Sequence, residues 1–293
     1  MAGLKEIRTR ITSVRSTRQI TQAMKMVAAA KLRKNQEKIL MLRPYANKLK
    51  QIMTSICQGL ENDVENSLME DRPPEKVLLI LVTSNRGLCG AFNNNAISKA
   101  LEIATTEYAT QWKQKQLSFF AIGKKGADFL KSKKYPLEGS NTWIFDQLNF
   151  AEVVEQGTYF VDLFLSGKYD RIDFIYNQFK NAAVHILTHE TFLPIIGNGK
   201  EEKSGMSPDY IFEPDRDELI NDLIPKTLNI QFYKVLLDSF SAEHGARMTA
   251  MHQATDNANE LIKELTLHYN KARQAAITKE ILDIVGGAEA LKQ

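Results

Sequence analysis

Cysteine is almost absent: Cys57 and Cys89 are the only two in 293 residues. They cannot make a disulfide framework, and neither has neighbours at metal-ligand spacing, so a reducing compartment is the natural reading. Long apolar runs are missing as well. The longest, VLLILV at 77–82, is of strand length and far short of the roughly 18 residues that a membrane span needs. The N-terminus has no apolar core of the kind a secretory signal carries. Its first thirty residues are rich in Arg, Lys, Ser and Thr and poor in acids, as in a transit peptide, but the same helical pattern runs far past targeting length. With 43% hydrophobic and 25% charged residues, the composition excludes a chain dominated by disorder.

Net charge is slight, at +3, but it is unevenly distributed. Residues 1–34 carry nine Lys or Arg against one acid, Glu6, while residues 61–75 carry six acids and one arginine. A basic first segment implies anionic surroundings, whether protein, nucleic acid or lipid head group.

What the chain has in quantity is helical periodicity at both ends. Ile39, Leu42, Ala46, Leu49, Met53, Ile56 and Leu60 alternate spacings of three and four, as do Leu4, Ile7, Ile11 and Val14. Between these runs Arg15 and Arg18 occupy positions that would continue the stripe. The apolar residues resume at Ile20, Met24 and Val27, a swing of roughly a third of a turn. Pro44 predicts a kink or the end of a helical segment. A sixty-residue helix would be about 90 Å long and cannot bury itself alone.

The final segment opens with Pro214, Asp215 and Glu218, the pattern of a capping box, and Pro225 predicts a bend. Met248, Met251, Thr255, Ala258, Ile262, Leu265, Tyr269, Ala272 and Ala276 then form a second seam, with small residues that allow close approach. Antiparallel pairing of the two arms hides both stripes.

The middle alternates strands and helices: strands at 76–84, 117–123 and 141–145, helices at 93–111, 124–133 and 149–166, and an antiparallel pair at 171–179 and 184–195. Residues 197–209 read as an exposed loop. The fold class expected is α/β, a Rossmann-like, mostly parallel sheet flanked by long N- and C-terminal helices that form an antiparallel coiled coil. The expected divisions are a helix over 1–60, an acidic linker over 61–75, the α/β domain over 76–214 and a helix over 215–293.

Candidate chemistry is thin. TSNRGLCGAFN (83–93) lies between a strand and a helix, where α/β enzymes bind phosphate. It offers only Gly87 and Gly90, without GxGxxG or a GK[ST] ending, which suits a tight packing turn better. His185 and His189 share a strand face but have no third ligand nearby. His244, His252 and His268 show no ligand-like grouping, no Gly-x-Ser-x-Gly elbow occurs, and Cys89 has no adjacent base. No catalytic residue, cofactor or metal is therefore expected. Two alternatives stay open on the residues alone. An α/β nucleotide-binding enzyme with helical arms would bind nucleotide in isolation. A basic coiled-coil adaptor or nucleic-acid binder would show steep salt dependence, although aromatic interleaving for base stacking is lacking.

The opening MAGLKEIRTRITSVRSTRQITQAMKMVAAAKLRK, the central SNRGLCGAFN and the ending ARMTAMHQATDNANELIKELTLHYNKARQAAITKEILDIVGGAEAL resemble the gamma subunit of F-type ATP synthases, across both arms and the start of the core. The resemblance implies a non-catalytic rotating central stalk. Its terminal helices would turn inside a hexamer of alpha and beta subunits. Its α/β domain would sit beside epsilon on the ring of c subunits, touching the membrane only through that ring, with no nucleic-acid partner. It implies hexamer contacts at Met24, Arg247, Arg273, Gln274 and Thr278, and contacts with the c ring and epsilon at Tyr210 and Glu213. The cysteine-bearing regulatory insert of the chloroplast form is missing, so thiol control is not expected. A start directly at the family motif favours a bacterial form, at the cytoplasmic face of the plasma membrane, over a mitochondrial precursor.

Overall fold

All six residues of VLLILV are fully buried, because this strand is covered on both faces. The computed structural model describes residues 3–58, 68, 72–145, 148–182, 184–195 and 216–290. In chain order the elements are α1 (Leu4–Gln58), β1 (Val77–Val82), α2 (Phe92–Thr106), α3 (Ala109–Lys113), β2 (Leu117–Ile122), α4 (Lys124–Ser132), β3 (Leu137–Asn141), α5 (Phe150–Leu165), β4 (Arg171–Phe179), β5 (His185–Leu193) and α6 (Arg216–Ala290). They form two compact units, residues 1–28 with 248–293 and residues 29–247.

In the larger unit the sheet runs β3-β2-β1-β4-β5, parallel except for the antiparallel β4–β5 pair. The two-residue period of β1 divides its side chains between two cores. Leu78, Ile80 and Val82 meet α5 and the first part of α6, which supplies Ile224, Leu228, Phe232, Val235 and Leu236. Val77, Leu79 and Leu81 meet Ala96, Ala100, Ile103 and Ala104 of α2 and Leu130 of α4. Phe232 lies parallel to Phe174, with ring centroids 5.3 Å apart. The terminal helix thus acts as one of the layers that close the sheet.

The expected third strand at 141–145 is displaced. The strand is Leu137–Asn141, and the WIF run belongs to the turn that follows. The Asn141 side chain accepts hydrogen bonds from the backbone N–H of Trp143 and Ile144, an Asx turn that ends the strand. Ile144 and Phe145 are buried in the core, and Trp143 points outward. Strand-forming residue types misled here, since they serve burial and not a ladder. The helix expected at 93–111 breaks at Glu107 and Tyr108, where the Tyr108 side chain turns in toward Asp173.

Pro44 and Pro225 both lie inside continuous helices on exposed turns, so neither ends its segment. The capping box at Pro214–Glu218, the 197–209 loop and the acidic linker, apart from Leu68 and Arg72 onward, lie outside the described residues or side chains.

The smaller unit pairs the start of α1 with the end of α6. Arg18 bonds Asn259, Thr21 meets Thr255 and Lys25 meets His252; one number rises as the other falls, so the helices are antiparallel. The seam expected on α6 is the one observed: every residue from Met248 to Ala276 in that series is buried or half-buried. On α1 the expected swing does not occur. Spacings of three and four continue through Ile11, Val14, Arg18, Thr21, Lys25 and Ala28, while Ile20 and Val27 are 59% and 60% exposed. Polar residues carry the seam because each finds a partner across it: the Thr21 and Thr255 hydroxyls lie 2.8 Å apart. A polar contact in such a seam fixes register at some cost in stability.

Candidate functional site

Chain topology reverses direction at β1, which has β2 on one side and β4 on the other. Open α/β sheets bind ligands at such a point, beyond the carboxyl ends of the strands. The loop after β1 is tied to the first turn of α2. Asn93 accepts from the Ser84 backbone N–H at 2.9 Å, and its Nδ2 donates to Ser84 Oγ at 2.8 Å and to Cys89 Sγ at 3.2 Å. Ser84 Oγ also donates to the Arg86 carbonyl at 2.7 Å. Leu88 and Gly90 both have left-handed backbone, φ 64° and 60°. Glycine takes that conformation freely; Leu88 does not.

Residues of the chain's own long helices reach this loop and the end of β4. From α6, Arg247 Nη2 donates to the carbonyls of Arg86 at 2.9 Å and Gly87 at 3.2 Å, while its Nη1 is bonded to Glu243. Two residues earlier Gly245 lies so close to the β4–β5 turn that a Cβ would stand 2.9 Å from the Ala182 carbonyl oxygen. From α1, Arg43 Nη2 donates to the carbonyl of Phe179, the last residue of β4, at 3.0 Å and to Asp238 at 3.4 Å. One guanidinium therefore satisfies two carbonyls of the loop after β1, and another the last carbonyl of β4.

Burial pushes the Glu243 carboxyl above its ordinary value, and the Arg247 charge opposes it. The Cys89 thiol is pushed up by burial as well, which makes it a poor nucleophile. His244 packs edge-on against Phe240, with ring centroids 4.5 Å apart, and its pKa falls to about 3, through burial first and then Arg247 and Lys31.

His185 and His189 do not converge on a metal site, and no group of three or more potential metal ligands occurs among the described residues. His185 lies against the Phe92 ring. His189 bridges two carboxylates, Asp173 at 2.9 Å and Glu107 at 3.3 Å. Asp173 is fully buried in β4, and it also accepts from Tyr108 and from Arg171 at 3.2 Å. Burial alone would raise its pKa, but the bonds from His189 and Tyr108 and the Arg171 charge outweigh it and hold the carboxyl below its ordinary 3.8. The sequence reading missed this cluster and the Glu243 partner of Arg247. One signal was available: an aspartate inside the apolar run RIDFIY demands partners.

Met24 is half-buried beside the seam of the smaller unit. Arg247, in the larger unit, is 8% exposed and engaged within the chain. Arg273, Gln274 and Thr278 are exposed on α6, and the last two lie one turn apart on one face. Tyr210 and Glu213 lie outside the described residues.

The sequence matches the ATP synthase family over residues 3–291. It is 56% identical to the ATP synthase gamma chain of Flavobacterium johnsoniae, covering 99% of both chains, and 48% identical to that of Cytophaga hutchinsonii, again over 99% of each. The chain belongs to the ATP synthase gamma-chain family. Gamma chains are non-catalytic subunits of the ATP synthase. The fold is similar to a chain in the central stalk and c-ring structure of Tetrahymena thermophila mitochondrial ATP synthase, with TM-score 0.58 at 25% identity over 80% of this chain and 99% of that one. It is also similar to a chain of Euglena gracilis mitochondrial ATP synthase, with TM-score 0.71 at 21% identity over 98% and 94%. As a gamma chain it is peripheral to the membrane. No helix among the described residues is long and apolar enough to cross one.

Proposed function

We propose that this chain is the rotary central-stalk subunit of a proton-translocating ATP synthase, carrying torque between a membrane ring of c subunits and a catalytic hexamer of alpha and beta subunits, with epsilon at its foot. The observation that carries this reading beyond family membership is the outer surface of the helix pair. Ile20, Met26 and Val27 face away from the seam, and Ile277, Ile281, Leu282, Ile284 and Val285 are exposed near the end of α6. Large apolar side chains left exposed in groups like these mark contact with other chains. Nearer the start of α1 the exposed residues Lys5, Arg8, Arg10 and Arg15 are basic, so the surface changes character along the pair.

A shaft with unlike faces presents a different one to each of three surrounding sites. Rotation then alters each site's affinity for nucleotide, a coupling free energy between the ring and the chemistry. Met24 and Arg247 belong to the region that meets the moving part of beta, and Arg273, Gln274 and Thr278 to the upper bearing. Tyr210 and Glu213 form the foot on the c ring and epsilon. Functionally the chain divides into helix 1–60, linker 61–75, α/β domain 76–214 and helix 215–293, at the cytoplasmic face of the bacterial plasma membrane.

The test is co-expression with the alpha and beta subunits of the same organism, followed by ATP-driven rotation of a bead fixed to this chain. A stable complex that rotates is expected, and the isolated chain should neither bind nor hydrolyse ATP. Failure to associate with alpha and beta would overturn the assignment.

A further inference from the structure

The loop after β1 holds its shape against local preference. Leu88 has left-handed backbone and is 64% exposed, while Cys89 beside it is 2% exposed. A leucine in that conformation persists only where its surroundings over-determine it. At the start of the loop Asn85 donates to the Thr142 carbonyl at 2.6 Å and accepts from the Lys124 N–H at 3.0 Å, and at its end the Phe92 N–H donates to the Cys89 carbonyl at 3.3 Å. Ser84 reaches one carbonyl, Asn93 reaches the Cys89 sulfur, and Arg247 reaches both carbonyls that immediately precede Leu88.

Arg247 is in turn held by Glu243, one helical turn earlier on α6. The two side chains are 10% and 7% exposed. With one terminal nitrogen on Glu243 and the other shared between two carbonyls, the guanidinium has both arms committed inside the chain. A planar fork can do this; a lysine ammonium, a point donor, cannot satisfy all three acceptors in that geometry.

We infer that Arg247 is a positioning residue: locked by Glu243, it sets the 85–90 loop with Leu88 outward and Cys89 inward, and its influence on torque passes through that loop and not through contact of its own guanidinium with a neighbouring subunit. The inference rests on the central-stalk reading for its functional half only. Its structural half concerns the chain alone.

Cys89 supplies a direct readout. In the full chain with Cys57→Ser, alkylation of Cys89 by a maleimide under native conditions is slow while the loop is held. Arg247→Gln should raise that rate by about tenfold or more, since a loop held by fewer hydrogen bonds opens more often. Glu243→Gln should raise it in the same direction, and Arg247→Lys should fall between. Unfolding midpoints taken alongside separate loop release from global unfolding. An unchanged rate in a folded Arg247→Gln chain would overturn the inference.

The second measurement uses the assembled enzyme and reads ions pumped per ATP hydrolysed. If Arg247 acts through the loop, Glu243→Gln lowers this ratio as Arg247→Gln does, and adding Leu88→Ala to Arg247→Gln brings no further loss. A Glu243→Gln enzyme with an undiminished ratio, its arginine freed to reach outward, would overturn the inference, as would additive losses in the double variant. Failure of the chain to assemble would sink the central-stalk reading and leave the thiol result standing.

Discussion

Within residues 29–247, phenylalanine packs on phenylalanine: Phe174, Phe192 and Phe232 have ring centroids 4.8 to 6.2 Å apart in the middle of a covered sheet. Residues 1–28 and 248–293 meet instead through Ile11, Arg18, Thr21, Ala28, Met251, Thr255 and Ala258. Beyond Ala276 every described side chain as far as Ala288 is exposed. The first unit closes its core from its own residues. The second spends small and polar residues on a thin seam and leaves larger apolar ones outside. One region is built to stand alone, and the other to be completed by neighbours.

The sharpest way to break this contrast is Phe232→Ala. It should cost about 3–5 kcal/mol, as for other buried phenylalanines, read as a fall in the urea midpoint of the full chain. A loss below about 1 kcal/mol would mean that the sheet face does not depend on α6.

Next is the buried carboxylate. Asp173→Asn should cost about 1–3 kcal/mol at neutral pH, because hydrogen bonds to a charged group weaken. The carboxyl is held below its ordinary 3.8, so its stabilisation is present above that pH and is lost as pH falls through the lower folded-state value. Urea midpoints measured from pH 7 down to about 2 should therefore decline less in Asp173→Asn than in wild type. Parallel declines would assign the acid sensitivity to other groups.

A smaller effect is expected in the helix pair. Thr21→Val should cost about 0.5–1.5 kcal/mol, and the Thr21→Val, Thr255→Val double variant less than the sum of the singles. Hydrogen exchange of the α1 and α6 amides would measure it, and strict additivity would show that the two hydroxyls do not act together.

Smallest in the isolated chain is Ile281→Ser with Val285→Ser. Stability should stay within about 0.5 kcal/mol of wild type, as for exposed positions, while assembly with alpha and beta weakens. A large loss of stability without partners would contradict the reading of this stretch as surface awaiting cover.

Much of the architecture was legible in the residues. The α6 seam follows from spacing alone, because a helix presents every third and fourth residue to one side. VLLILV announces a strand buried on both faces. The α1 seam was misread at Arg18 and Thr21, since hydropathy scores a residue alone and these two are acceptable only with Asn259 and Thr255 opposite. The WIF run misled for a similar reason, because burial of Ile144 and Phe145 is compatible with an Asx turn as well as with a strand. Of the residues assigned by resemblance, Arg247 sits in the least expected surroundings: the motif marked it out, but no spacing rule connects position 247 with carbonyls at 86 and 87.

By itself the sequence determined that two long helices flank an α/β core and that the switch-point loop lacks a phosphate motif. These follow from periodicity and local residue chemistry, which act over a few residues. Only the tertiary structure decided that α6 closes one sheet face with Phe232, that Arg43 bonds the end of β4 and Arg247 the loop after β1, and that Ile20 and Val27 face outward. Each of those outcomes turns on which distant group satisfies a carbonyl, a guanidinium or an apolar surface. That is set by how the helices dock and not by their own sequence.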